Sequence, residues 1–309
     1  MKISLENMSK VTENICVLFG ATNIGVLRAG KKIFLIDSGA SEEDGKAILQ
    51  SANELFPDAK ISAIINTHSH ADHCGGNAFL VRETGAEIWA SAGEKPSIEY
   101  PRLENAIVWG GTPPLEIQHN FFEAEATSVS RILKDSETVF NEDAVSAYAV
   151  SLPGHYFDQI GIMVQDKEAL KSVFFLGDAI FGRFRMGKYW IPYTFDIKQF
   201  KESLHKIEQI SSDFYLPSHG DLIEEVSALV ELNEFAAVET EETIIKLLEK
   251  QPLTTEEVLA RVAELNGIPL RIGQYALIGS TIRSYLSHLQ EQKRIEFFFE
   301  NNFLRWRLA

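Results

Sequence analysis

Short apolar runs punctuated by glycine open the chain. Asn14-Ile-Cys-Val-Leu-Phe-Gly20, Thr22-Asn-Ile-Gly-Val-Leu27 and Lys32-Ile-Phe-Leu-Ile-Asp37 predict neighbouring strands. Residues 41–55 predict a helix, with Ser41 as N-cap and Glu42, Glu43 and Asp44 in the first turn, where carboxylates meet the positive end of the helix dipole. Ile61-Ser-Ala-Ile-Ile-Asn66 predicts a buried strand, and Gly75-Gly76 a tight turn into a helix at about 77–83. From about 96 to 128 periodicity fades while Pro and Gly increase, so this stretch reads as an inserted excursion over the core. Strand patterns resume at 129–133, 145–152, 160–164 and 172–176. A helix follows at about 196–210, then a short strand closing on Leu216-Pro-Ser-His219-Gly220.

From about 222 to 250 the pattern is helical, and the last 60 or so residues read as a separate module. Thr254-Thr-Glu-Glu257 is a capping-box pattern. Tyr275, Leu277, Ile282, Tyr285 and Leu289 recur at helical spacing over about 273–290. Arg294-Ile-Glu-Phe-Phe-Phe299, Asn301-Asn302 and Phe303-Leu-Arg-Trp-Arg-Leu308 predict a hairpin, and helices followed by a two-stranded wing resemble a winged-helix domain. The expected division is a core domain at 1–225, interrupted by the excursion at 96–128, and a helical linker with a winged-helix-like domain at 226–309.

Composition narrows the setting. Of 309 residues, 45% are apolar and 24% charged, as in ordinary globular proteins. Runs such as Val173-Phe-Phe-Leu176 are too short to span a bilayer, and the N-terminal stretch lacks a secretory apolar segment, so a cytoplasmic location without membrane association is expected. Cys16 reads as a buried thiol and Cys74 as a small residue filling a turn, with no disulfide expected in a reducing compartment. A net charge of −15 works against long nucleic acids. The module from Thr240 onward carries nine Lys plus Arg against nine Asp plus Glu, and its long helix carries only Arg283, with Lys293 and Arg294 just beyond. A DNA-reading helix is more basic than this, so homodimerisation or roofing a site is the expected use of the module.

The chemistry concentrates in Thr67-His68-Ser69-His70-Ala71-Asp72-His73-Cys74-Gly75-Gly76. Imidazole is the commonest ligand for a borderline metal at neutral pH, and carboxylates complete such sites. On an extended backbone His68 and His70 project to one side and can chelate one ion. Asp72 and His73 are adjacent and can turn toward a second. Three further candidates follow apolar runs: His155 in Ser151-Leu-Pro-Gly-His-Tyr156, Asp178 closing Phe174-Phe-Leu-Gly-Asp178, and His219. His119, His205 and His288 read as surface or structural residues.

With these residues in this order, the chain resembles the metallo-β-lactamase superfamily over about 10–225. The resemblance implies a mixed α/β (α+β) αββα sandwich with metals at one edge. It implies that His68, His70 and His155 bind one divalent ion, that Asp72, His73 and His219 bind another, and that Asp178 bridges them. Asp37 matches the superfamily's early Asp and is expected to orient a ligand or cap a turn. Zn²⁺ is the expected ion, with Fe and Mn left open. Two such cations lie roughly 3.5–4 Å apart and bring the pKa of a bridging water toward neutrality, which implies hydrolysis by metal-bridged hydroxide, with Asp72 and Asp178 as catalytic carboxylates.

The expected substrate is a small ester, thioester or lactone. Alternatives are an endoribonuclease or phosphodiesterase activity, which some superfamily members with a C-terminal winged helix have, and a mononuclear iron persulfide dioxygenase. The last uses only two His and one Asp, whereas Asp72, His73 and His219 are all retained here. Glyoxalase II enzymes share the ligand set but end in a helical glutathione-gripping region. In the 181–193 stretch, Arg183, Arg185 and Lys188 are candidates to meet an anionic group, and Tyr189, Trp190 and Tyr193 to pack an apolar one. Tyr156, where relatives often carry a small Thr, is expected to narrow the pocket mouth.

Overall fold

The computed structural model describes residues 2–118, 123–142, 144–188 and 190–309. A 3-10 turn at Leu5–Asn7 leads into a seven-stranded sheet whose spatial order follows the chain: β1 (Met8–Lys10), β2 (Ile15–Leu18), β3 (Ile24–Ala29), β4 (Lys32–Ile36), β5 (Lys60–Ile65), β6 (Glu87–Ser91) and β7 (Val129–Leu133). The first four pair antiparallel, and β4 to β7 pair parallel. Helix α1 (Glu42–Leu55) crosses from β4 to β5, starting on the Ser41 cap, whose hydroxyl accepts from the Asp44 amide. Helices α2 (Ala71–Cys74) and α3 (Asn77–Thr84) join β5 to β6.

The second sheet holds β8 (Thr138–Asn141), β9 (Val145–Ser151), β10 (Ile160–Asp166), β11 (Lys171–Gly177) and β12 (Phe214–Pro217), in the order β12-β11-β10-β9-β8. Strands such as β2 and β10 are buried on both faces, because each sheet has a helical layer outside and the other sheet inside. One apolar layer, including Leu35, Ile48 and Leu80, lies between the first sheet and α1 and α3. A second, including Phe34, Ile65, Val164 and Phe175, lies between the sheets. A third packs the second sheet on α7 (Ile197–Gln209) and the start of α8 (Ser227–Leu248). This is the αββα sandwich.

Beyond it, the end of α8, α9 (Thr255–Leu265), α10 (Ile272–Glu291) and the hairpin β13 (Ile295–Glu300)–β14 (Phe303–Leu308) share their own core around Leu248, Val258, Ile282 and Leu286. The Thr254–Glu257 capping box is formed in both directions. No helix among the described residues is long and apolar enough to cross a membrane.

Two stretches are more regular than their sequence suggests. The excursion contains α4 (Lys95–Glu99), α5 (Arg102–Trp109) and a 3-10 turn at Leu115–Ile117, and the 181–193 stretch contains α6 (Arg183–Lys188). These pieces are too short to persist alone. Burial of Ile98 in the outer core, and of Val108 and Ile117 against Ala276 of α10, fixes the excursion. The expected tight turn at Gly75-Gly76 leads from α2 into α3, with ordinary φ at both glycines. Glycine is required at 75 because a Cβ there would run into the Ala40 carbonyl group.

Candidate metal centre

The candidate side chains leave the carboxyl ends of strands at one edge of the sandwich. Asp37 follows β4, His68 and His70 follow β5, and His155 follows β9. Asp178 follows β11, and His219 follows β12. The loop before His155 is clamped: Gly154 takes a φ of 126°, and its carbonyl accepts the Phe195 and Asp196 amides at the start of α7. Asp72 and His73 lie on α2, and the His73 ring packs 3.9 Å from that of His68.

Three ring nitrogens converge first. His70 Nδ1 lies 3.0 Å from His68 Nε2 and 2.9 Å from His155 Nε2. A second set adjoins it: His73 Nε2 lies 3.8 Å from Asp72, and His219 Nε2 lies 3.2 Å from Asp72. Asp178 sits between the sets, 3.5 Å from His73, 3.6 Å from His155 and 3.3 Å from His219. The donor atoms of His68, His70 and His155 all lie within 4.8 Å of one another, as do those of Asp72, His73 and His219. His68, His73 and Asp178 form a third such group.

The outward-facing nitrogens are all engaged. Nδ1 of His73 meets Asp37 at 2.8 Å, and Nδ1 of His68 meets the Thr67 hydroxyl at 3.1 Å. Nδ1 of His155 and of His219 meet the Tyr193 and Ala21 carbonyls at 2.8 and 2.7 Å. Nε2 of His70 meets Glu104 at 2.9 Å. Asp37 also accepts the Thr67 amide and hydroxyl, and it does so from a left-handed backbone (φ 60°) in full burial. A buried non-glycine residue held at positive φ is a strained position that its surroundings must fix.

By contrast, two inward atoms, His73 Nε2 and Asp178 Oδ1, are buried with no hydrogen-bond partner among the described residues. Such atoms are costly to leave unpaired. Borderline nitrogen and carboxylate donors, oriented from behind and bare in front, fit divalent cations.

Electrostatics agree with this arrangement. Burial and the surrounding imidazoles push His68 well below the ordinary imidazole value, and His155 down to about 3, leaving neutral rings with lone pairs to give. Burial opposes ionisation of Asp72 and Asp178. The imidazoles of His73 and His219 outweigh it and hold both carboxyls well below their usual range. Burial alone would lower His70, but the Glu104 carboxylate raises it to about 9, so Glu104 makes this ring a stronger base.

The sequence pattern that defines the metallo-beta-lactamase superfamily matches residues 17–219. The chain belongs to the metallo-beta-lactamase superfamily. All seven clustered residues fall inside that match. The fold is similar to that of a beta-lactamase domain protein from Burkholderia ambifaria, with a TM-score of 0.77 at 16% identity, covering 98% of this chain and 94% of that one. In sequence the chain is 26% identical over 212 residues to an atrochrysone carboxyl ACP thioesterase of Aspergillus fumigatus, covering 68% of this chain and 54% of that protein. It is 30% identical over 121 residues to a hydroxyacylglutathione hydrolase of Hyphomonas neptunium, covering 39% and 34%. The chain spans about half the length of the first curated relatives it matches.

In this superfamily member the cluster opens into a cavity of 460 Å³. His70, Asp72, His155, Asp178 and His219 line one end. His68 and His73 stay fully buried behind them. Of the 181–193 candidates, Arg185 and Tyr193 line the cavity. Arg185 sits 3.3 Å from His219 Nδ1. Arg183 and Trp190 lie elsewhere: Arg183 is exposed on α6, and Trp190 packs on Phe235 of α8. Tyr189 and His119 lie outside the described residues.

Tyr156 does not narrow the mouth. Its ring is fully buried behind His70, at a centroid distance of 4.6 Å, because the excursion covers it and Ser97 faces its hydroxyl. Sequence reasoning passed over Glu104 and Glu94. Glu94 accepts the Ser69 amide and hydroxyl and the Asp158 amide, tying the His68–His70 loop to the His155 loop. Nothing local marks either glutamate, since one lies in α5 and the other just before α4.

Proposed function

We propose that this protein is a metal-dependent hydrolase of a small ester, thioester or lactone, with two divalent cations, zinc foremost and iron or manganese as alternatives. His68, His70 and His155 hold one cation, Asp72, His73 and His219 the other, and Asp178 faces both. The observation that carries this is the pair of buried atoms without a hydrogen bond, His73 Nε2 and Asp178 Oδ1, which face each other at 3.5 Å inside a ring of side chains otherwise engaged from behind. When bound, such a pair activates water and polarises the substrate's carbonyl oxygen.

The rest is done by the chain. Asp37 and Glu104 fix the tautomers of His73 and His70, so that the free lone pairs point inward. Asp72, the more accessible carboxylate at 32% exposure, faces the cavity and takes the proton released as water oxygen bonds to the carbonyl carbon. The C–O or C–S bond then breaks, and the departing alcohol or thiolate recovers a proton from Asp72. The thioesterase name of the Aspergillus relative supports an acyl substrate. Arg185, in the cavity beside His219, favours a phosphodiester instead. We read 1–225 as the catalytic part and 226–309 as a winged-helix-like module that closes the site.

Chelation followed by reconstitution tests this reading. Hydrolysis of p-nitrophenyl esters or thioesters is expected to vanish on chelation and to return as two equivalents of metal are added. Activity confined to bis-p-nitrophenyl phosphate would transfer the assignment to phosphodiesters, and activity unaffected by chelation would end it. Glu104→Gln keeps shape but removes the charge behind His70. It is expected to weaken metal binding by about 10–100-fold in competition with a chromogenic chelator, while the circular dichroism spectrum is unchanged.

A further inference from the structure

The cavity has two chemically distinct ends. At one lies the His–Asp cluster. At the other Ile117, Ile191, Leu277 and Ile278 form a wall, with Phe181 and Tyr193 between. The wall is a roof contributed largely by α10. Ala276 is buried together with Val108 and Ile117 of the excursion. On the side toward α7, the Thr281 hydroxyl accepts the Thr194 amide at 3.1 Å and the Ser284 hydroxyl donates to the Phe195 carbonyl at 2.7 Å. Ile272, 39% exposed, adds an apolar side chain to the lining. The exposed Glu116 beside it repels a carboxylate.

We infer that the substrate carries an uncharged, medium-length hydrocarbon group on its scissile carbonyl, and that this group lies under α10 against Ile117, Ile191, Leu277 and Ile278. This rests on the hydrolase reading above. A cavity of 460 Å³ is within the range that encloses small ligands, and the α10 side of its lining is mostly apolar, with Gln274 the one polar side chain that α10 contributes. A dicarboxylate would be desolvated there and repelled by Glu116, and most hydroxyls of a sugar would face hydrocarbon. A hydrocarbon gains up to about fourfold in affinity for each methylene removed from water.

The test uses the metal-loaded full chain with p-nitrophenyl acetate, butyrate, octanoate and laurate, and calorimetric titration with 1-octanol against 1-butanol. The wild type is expected to show kcat/KM at least about tenfold higher for octanoate than for acetate, and to bind 1-octanol in preference to 1-butanol. Leu277→Trp, which keeps the wall apolar but fills it, is expected to move the optimum to butyrate and to abolish octanol binding. A flat chain-length profile with hydrolysis intact overturns the apolar subsite and leaves the hydrolase reading standing. Octanol binding that Leu277→Trp removes, without hydrolysis of any ester, supports the subsite and sinks the hydrolase reading. Absence of both octanol preference and a chain-length trend overturns the proposal even if the variant fails to fold.

Discussion

Replacing Asp178 by asparagine is expected to reduce hydrolysis by roughly a thousandfold and to leave at most one tightly held metal ion per chain. Asp178 is the only cluster carboxylate within 3.6 Å of His73, His155 and His219 at once. Asparagine preserves its volume and one carbonyl oxygen but removes the charge that both halves of the cluster share. Charge stabilisation at such a centre is worth several kcal/mol, and each 1.36 kcal/mol is tenfold in rate, which gives the thousandfold figure. Elemental analysis after gel filtration gives the metal count, and initial rates on the best ester give the activity. A variant that keeps two ions and full activity would remove Asp178 from the centre. Unchanged far-ultraviolet dichroism separates a lost ligand from a lost fold.

The second large effect concerns the backbone. Gly154→Ala is expected to destabilise the fold by about 3 kcal/mol, because it adds positive-φ strain to a direct collision. At a φ of 126° an added Cβ would strike the backbone of Phe200 in α7. Relief requires the 153–155 loop to withdraw from α7, and His155 moves with it. The variant is therefore expected to lose metal affinity as well as stability, although residue 154 donates nothing to the cluster. Gly187 is the matched control: its Cβ would meet nothing within 4 Å, so alanine there in α6 is expected to be neutral or stabilising by up to about 1 kcal/mol. Denaturant titration of the three proteins gives the comparison. Equal midpoints for Gly154→Ala and wild type would show that the loop has slack.

The cluster was readable in the sequence because its chemistry is local. Three histidines and an aspartate fall within six positions, and His155, Asp178 and His219 each follow an apolar run that forms a strand. Asp37 was also visible, as a carboxylate ending a strand, although its contact with His73 spans 36 positions. Glu104 and Glu94 could not be found this way. Glu104 acts through its contact with His70 and Glu94 through contacts with Ser69 and Asp158, all distant in the chain, and in the sequence each is one acid among 44. The helices of the excursion were hidden for a related reason. Val108 and Ile117 have no internal periodic pattern and are apolar because α10, some 160 positions later, covers them. Arg183 and Trp190 were grouped with Arg185 and Tyr193 by proximity in the chain, but α6 turns its residues in different directions.

Helix α10 carries a consequence for how such a protein changes over generations. The cluster lies wholly within 17–219, whereas the roof residues Leu277 and Ile278 lie outside the stretch that marks the superfamily. On the proposed reading, mutations in α10 reshape what the protein accepts while the cluster residues themselves are unchanged. The hydrogen bonds that join Thr281 and Ser284 to Thr194 and Phe195, beside the segment that holds His155, are the part of α10 that such change must keep. Exchange of the C-terminal segment that keeps those contacts is then a route to new preferences without change at the cluster.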